Sequence, residues 1–254
     1  MKAMVLAAGL GTRLRPLTDD RPKALVEVAG RTLLEITLAR LREFGVNEVI
    51  VNVHHFADLV VEYLTRHDNF GMRIEISREA ALLDTGGGLK NAAWFFRESV
   101  AGGTTPSDAP FILHNVDVIS TIDLKGMVQF HLEHQALATL AVQDRETSRR
   151  LLFDEAMRLC GRHARRAGSA GTDGRLEVDR LSTNSLALAF SGIHVISPRM
   201  LSMMSQEGAF SIITTYLRLA AQGEKICGFR ADGAYWRDLG KPDSVAQAKE
   251  DLSR

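Results

Sequence analysis

Neither sign of charge is in excess in this 254-residue chain: Lys and Arg together number 31, and Asp and Glu also number 31. Proteins built around nucleic-acid affinity usually carry a basic excess, so no nucleic-acid partner is expected. Cysteine is scarce. Cys160 and Cys227 lie far apart and form no CxxC or Cys/His spacing, which argues against a disulfide framework or a zinc site and fits a reducing compartment. No stretch approaches the ~18 consecutive apolar residues of a membrane span, so no membrane partner is expected either. The apolar start, Met1 to Gly9, is too short for a signal peptide and runs directly into Gly-x-Gly with arginines behind it. The expectation is a cytoplasmic protein. With 45% hydrophobic and 24% charged residues, a chain of this length buries a full core without staples.

Short apolar runs alternate with longer segments of helical period, the pattern of a mostly parallel sheet with helices on both faces. Strands are predicted at Ala3–Ala8, Glu48–Val53, Met72–Ser77, Phe111–His114 and Leu137–Val142. Helices are predicted at Thr32–Phe44, Phe56–His67, Leu89–Phe96 and Leu124–His134, with Gly45 suited to end the first. The character then changes. Residues 145–166 hold seven Arg against three acids, and a Gly/Ser/Ala-rich stretch follows at 167–174. The arginine run is either a solvated face or a phosphate-facing surface. A hairpin around Asp154-Glu155 is predicted within 150–162, then a long strand at Leu186–Ile196. Helices at about 198–205 and 210–221, a strand at 225–230, a loop at 231–241 and a helix from Asp243 complete the chain. The simplest arrangement is one α/β domain over 1–254, with a β-rich lobe inserted or appended.

The strongest local signal is Gly9-Leu10-Gly11-Thr12-Arg13-Leu14-Arg15-Pro16-Leu17-Thr18, closed by Pro22-Lys23-Ala24-Leu25-Val26. It follows a predicted buried strand, and in open α/β sheets ligands sit beyond the carboxyl ends of strands. Glycines there let backbone N–H groups approach an anion. Thr12 adds a hydroxyl, and Arg13 and Lys23 add charge, a set suited to a polyphosphate. The dinucleotide fingerprint fails, because Leu14 stands where its third glycine belongs; the Gly-Lys-Ser/Thr of a Walker loop is absent.

The stretch Leu6 to Gly30 resembles the signature of the sugar-1-phosphate nucleotidylyltransferases, or NDP-sugar pyrophosphorylases. The resemblance continues through Thr85-Gly86-Gly87-Gly88, Asn115-Val116-Asp117 and Trp236-Arg237-Asp238-Leu239-Gly240-Lys241-Pro242, and so covers nearly the whole chain. It is strongest to the short bacterial branch that includes N-acetylmuramate-1-phosphate uridylyltransferase and mannose-1-phosphate guanylyltransferase. The implied fold is a Rossmann-like mixed, mostly parallel sheet flanked by helices, with a small β-rich sugar-binding lobe and no C-terminal β-helix. The nucleotide-binding part would span about 1–142, and the sugar-binding part with the C-terminal helices about 143–254. The implied reaction joins a nucleoside triphosphate and a sugar 1-phosphate into an NDP-sugar and pyrophosphate by direct in-line displacement.

By the same resemblance, Ala8, Gly9, Gly11, Thr12 and Arg13 hold the triphosphate, with Arg13 on the leaving pyrophosphate. Lys23 contacts the reacting phosphates, and Asp117 and Asp238 hold Mg²⁺. The base pocket draws on Glu79 and the backbone of Thr85-Gly86, and Asn52 to His55 borders it. A carboxylate suits the guanine N1/N2 edge, but Leu83 to Gly88 looks more like the uridylyltransferase branch, which tilts the expectation to UTP with an amino-sugar or muramate-type 1-phosphate. A mannose-1-phosphate guanylyltransferase and a non-catalytic nucleotide-sugar-binding relative remain the alternatives. Two departures from the family pattern stand out. Val116 replaces a glycine before Asp117, and its bulk raises the question of how closely the nucleotide approaches. The Glu-Lys-Pro of many members is missing; Asp179-Arg180, together with Gly192, falls near its place, with Arg180 as the phosphate cation.

Overall fold

The computed structural model describes residues 1–97, 108–164, 176–178 and 185–252. In chain order its elements are β1 (Lys2–Leu6), β2 (Glu27–Val28), β3 (Arg31–Thr32), α1 (Leu33–Glu43), β4 (Glu48–Val53), α2 (Ala57–Arg66), β5 (Arg73–Arg78), α3 (Asp84–Asn91), α4 (Ala93–Arg97), β6 (Phe111–Asn115), β7 (Val118–Ser120), α5 (Leu124–Glu133), β8 (Ala138–Gln143), β9 (Arg149–Phe153), β10 (Leu159–Ala164), β11 (Leu176–Val178), β12 (Leu186–Ile196), α6 (Ile212–Ala221), β13 (Ile226–Arg230), β14 (Trp236–Asp238) and α7 (Pro242–Leu252).

The central sheet runs β5-β4-β1-β6-β12-β8-β13. Neighbours β5/β4, β4/β1, β1/β6 and β8/β13 are parallel, and β12 alone runs against its neighbours β6 and β8. The sheet is mixed, mostly parallel and flanked by helices. Strands covered on both faces need apolar residues at successive positions, and Ala3, Met4 and Val5 are all fully buried. Alternation divides them between two cores. Ala3, Val5, Val49, Val51 and Ile112 pack on one face, with Leu34, Leu38 and Leu41 of α1. Met4, Ile50, Leu113 and Leu140 pack on the other, with Tyr216 and Leu219 of α6. The first helix starts where its sequence allows: the Thr32 side chain accepts from Glu35 N–H, a cap that satisfies one orphan donor.

β12 is the hinge between the sheet and the β-rich lobe. Ile193–Ile196 pair with β6, whereas Leu186–Leu188 pair with β9. Between them the pairing with β8 slips in register, from Phe190 to His194, and Gly192 takes φ +76°. That left-handed backbone disfavours a Cβ. A side chain there would also come within 2.9 Å of Val118 Cγ2 and 3.0 Å of Asn115 Nδ2. β9, β10 and β11 extend the lobe as antiparallel strands.

Three expectations shift. The helix predicted at Leu89–Phe96 starts earlier, at Asp84, and breaks at Ala92 into α3 and α4. Its Gly86 and Gly87 look like loop residues but permit close packing: an added Cβ would sit 2.3 Å from the Phe210 ring and 2.3 Å from the Gly208 carbonyl oxygen, respectively. The predicted loop at 231–241 contains β14, paired antiparallel with β7. The helix predicted at 198–205 is a 3₁₀ segment, Pro198–Met203. Asp179 and Arg180 lie outside the described residues.

Candidate active site

Because β1, β4, β5 and β6 are parallel, their carboxyl ends share one edge. The chain leaves β1 into Ala7, Ala8 and Gly9. Ala7 N–H donates to Asn52 Oδ1 at 2.7 Å, and Asn52 Nδ2 donates to Glu79 Oε1 at 2.6 Å. The other carboxylate oxygen, Glu79 Oε2, accepts from Leu83 N–H at 3.0 Å. Glu79 is only 5% exposed. Its carboxylate thus ties the ends of β1, β4 and β5 to the start of α3. Gly88 faces this pair so closely that a Cβ would meet Glu79 Oε1 at 2.7 Å and Asn52 Nδ2 at 2.8 Å. Thr85 Oγ1 accepts from Ile212 N–H, and Gly86 N–H donates to Phe210 O, so both hold α3 against the start of α6. His54 Nδ1 donates to Glu79 O at 2.8 Å.

The glycine loop curls over this edge. Gly11 has φ +66°, Thr18 Oγ1 donates to its carbonyl, and Leu14, 1% exposed, plugs the loop into the core. No described residue accepts a hydrogen bond from the N–H groups of Gly9, Leu10 or Gly11. Adjacent free N–H groups in a turn form an anion-binding concavity. Thr12 and Arg13 are exposed beside it.

Lys23 and Asp117 reach across the edge and form an ion pair between Nζ and Oδ2, with side chains only 13% and 16% exposed. Asp238 is brought to the same place by the short strands: in the β7–β14 pairing it lies opposite Val118, and Leu239 N–H donates to the Asp117 carbonyl at 2.8 Å. Gly240 N–H donates to Asp238 Oδ1 at 2.7 Å. A Cβ on Gly240 would sit 2.7 Å from Asp238 Oδ1 and 3.0 Å from Arg13 Nη2, which puts Arg13 and Asp238 on one spot. Arg13, Lys23, Asp117 and Asp238 therefore converge. Val116 raises no obstacle: it is 3% exposed and belongs to the core with Ala7 and Leu14, so its bulk lies under the edge.

Next to Asp238 opens a cavity of about 690 Å³. Gly192, Trp236 and Arg145 line it. The Arg145 guanidinium stacks on the Trp236 ring, 3.5 Å from its centroid, and donates from Nη2 to Phe190 O at 2.7 Å. Burial lowers the Arg145 pKa, and the nearby Asp238 charge opposes that shift. Sequence reasoning missed Arg145 and Trp236 as site residues. The arginine-rich run and the Trp-Arg-Asp string carried the signal, but only the fold stacks one on the other.

Among the described residues no three His, Cys, Asp or Glu side chains cluster as a metal cage. Asp117 and Asp238, whose backbones are joined through Leu239 N–H on the Asp117 carbonyl, are the residues that would hold Mg²⁺, since one or two carboxylates are the usual protein share of such a site and phosphates and water supply the rest. No helix among the described residues is long and apolar enough to cross a membrane.

Residues 2–151 match the model of the family described as nucleotidyl transferase. N-acetylmuramate alpha-1-phosphate uridylyltransferase of Caulobacter vibrioides is 35% identical over 258 residues, 99% of this chain and 96% of that one. Probable mannose-1-phosphate guanylyltransferase 1 of Oryza sativa subsp. japonica is 36% identical over 143 residues, 56% of this chain and 38% of that one. The fold matches that of HddC from Yersinia pseudotuberculosis, solved in complex with GMP-PN, at a TM-score of 0.73 and 21% identity over 99% of both chains. The family match over more than half the chain and the end-to-end relative lead to one conclusion: this chain belongs to the nucleotidyl transferase family and is a nucleotidyltransferase.

Proposed function

We propose that the protein transfers the uridylyl group of UTP to the 1-phosphate of an amino sugar of the N-acetylmuramate type, releasing pyrophosphate. The observation that supports the reaction is the convergence of Arg13, Lys23, Asp117 and Asp238 beside the free N–H groups of the glycine loop. The 35% identity along 99% of the chain to a uridylyltransferase favours UTP, since the guanyltransferase of Yarrowia lipolytica that aligns with 95% of the chain is only 27% identical.

A sugar-phosphate oxygen attacks the α-phosphorus, and the bond from that phosphorus to the bridging oxygen of pyrophosphate breaks. The attacking oxygen is already anionic, so no general base is needed, and catalysis is positioning plus neutralisation of charge. The N–H groups of Gly9 and Gly11, with Ala8 and Thr12, hold the triphosphate. Arg13 stabilises the departing pyrophosphate. Lys23 leaves Asp117 to contact the reacting phosphates. Asp117 and Asp238 would hold Mg²⁺, which when bound offsets phosphate charge and orients the oxygens. Glu79 and Thr85-Gly86 shape the base side of the cleft. Arg145 stands at the phosphate end of the sugar cavity, where the missing Glu-Lys-Pro lysine would act.

The test is a matrix of four nucleoside triphosphates against several sugar 1-phosphates with Mg²⁺, scored by product mass. UDP-sugar is expected. Product with GTP alone overturns the choice of base, and no product in any combination overturns the reaction.

A further inference from the structure

The cavity beside Asp238 is lined by four arginines, Arg145, Arg149, Arg150 and Arg162, against two acids, Asp84 and Asp238. Four cations exceed what a single 1-phosphate calls for, and their surroundings divide them. Arg145 sits at the phosphate end, held on Trp236 two positions before Asp238. Arg150 is engaged by the protein: it donates to Ala187 O and Arg145 O and faces Asp144 and Glu146 at 3.7 Å each.

Arg149 differs. It is exposed, it lines the cavity, and its guanidinium has no hydrogen-bond or ion-pair partner among the described residues. The hairpin register places it. Arg149 pairs with Ala164 and Leu151 with Arg162, while Leu151 also pairs with Leu188 of β12. Directly opposed residues share a face, so Arg149 and Arg162 stand on the same face as Leu151 and Leu188, whereas Arg150 is on the other. The two arginines are diagonal neighbours, roughly 7–8 Å apart and within reach of each other's long side chains. Their juxtaposition, out on the hairpin and away from the phosphate end, suits a planar anion that the Arg149 guanidinium can grip with two N–H bonds while the Arg162 charge stands beside it.

Building on the nucleotidyltransferase reading, we propose that Arg149, with Arg162 beside it, anchors a carboxylate carried on the sugar away from its 1-phosphate, so that the protein selects acidic sugar 1-phosphates over neutral ones. Arg149 is then a specificity determinant for the accepted sugar. Its effect falls on sugar binding, because the carboxylate keeps its charge and place throughout the transfer.

The test compares N-acetylmuramate 1-phosphate with its carboxyl methyl ester, two substrates that differ in one charge. The wild-type protein should prefer the acid in kcat/KM by about tenfold or more, the range expected for a charge-assisted hydrogen bond. Arg149→Gln should collapse that preference through KM, and Arg149→Lys should restore part of it. Arg158→Gln, at a hairpin arginine paired with Asp154 at 3.0 Å, should keep the wild-type ratio. Equal use of acid and ester by the wild-type protein, or an undiminished preference in folded Arg149→Gln, overturns the proposal while leaving the nucleotidyl transfer standing. If neither substrate turns over with any triphosphate, the reaction reading fails instead. Calorimetric titration of the same two compounds then decides the carboxylate site, and equal or absent binding overturns it.

Discussion

Lys23 and Asp117, 94 positions apart, are joined by an ion pair at the carboxyl edge of the sheet. The lysine stands where charge must be balanced before any substrate arrives, and it neutralises one of the two carboxylates that would hold a cation. In the proposed reaction substrate binding would exchange one partner for another, with Asp117 turning to the cation and Lys23 to phosphate.

Lys23→Ala is expected to lower kcat by roughly 100-fold or more, the scale of removing a preorganised charge from a reacting centre. The stability cost should stay near about 1–2 kcal/mol, because Asp117 keeps some contact with water. Steady-state kinetics and urea denaturation of the same preparation check both halves. Near-normal turnover would remove Lys23 from the chemistry.

Chelation should abolish activity, and added Mg²⁺ should restore it. Asp117→Asn and Asp238→Asn should each lose most turnover yet remain folded: the first gives up the ion pair with Lys23 at a cost near that of Lys23→Ala, and the second keeps an oxygen that can accept from Gly240 N–H. Full activity in excess chelator would exclude the proposed metal site.

Both Glu79 oxygens already accept hydrogen bonds inside the protein. In Glu79→Gln, an amide NH₂ would face either the Asn52 amide or the Leu83 N–H, donor against donor. The expected result is a stability loss of about 1–3 kcal/mol with the UTP-over-GTP product ratio unchanged. A switched base preference would show instead that Glu79 reads the base.

His114 and His194 are buried, and burial lowers their pKa values from 6.5 to about 4 and about 3. His114 Nδ1 donates to Asn115 O, and His194 Nδ1 shares a hydrogen bond with Tyr216 Oη. Below pH 6.5 the unfolded chain takes up protons that the folded chain refuses. Their contribution is thus complete above pH 6.5 and is lost as the pH falls toward 4 and 3. The urea midpoint should drop across that window, and His114→Gln should flatten the slope. A pH-independent midpoint between 7 and 4.5 would contradict this.

Much of the site was legible because its residues sit in contiguous strings. Gly9 to Arg13, Pro22-Lys23, Asn115-Val116-Asp117 and Trp236 to Pro242 each carry a local pattern, and the structure brings them to one edge. The strands β7 and β14 escaped notice, since three residues are too few to show alternation. α3 escaped in part because glycines weaken a helical signal, yet Gly86 and Gly87 are there to admit the segment at Gly208 and Phe210. The arginine-rich run of 145–166 was plain in composition, but which of its described arginines line the cleft was not.

The sequence by itself determined the layered α/β plan, the glycine loop and the identity of the charged residues, because each depends on short-range period or on a string of neighbours. Only the tertiary structure decided which of those residues meet. The β7–β14 pairing sets Asp238 beside Asp117. The bend at Gly192 swings the hairpin over the cleft, and the register of β9 on β10 turns Arg149 and Arg162 to one face and Arg150 to the other. Those are contacts between residues distant in the chain, fixed by burial and backbone pairing across the whole sheet, and no local window contains them.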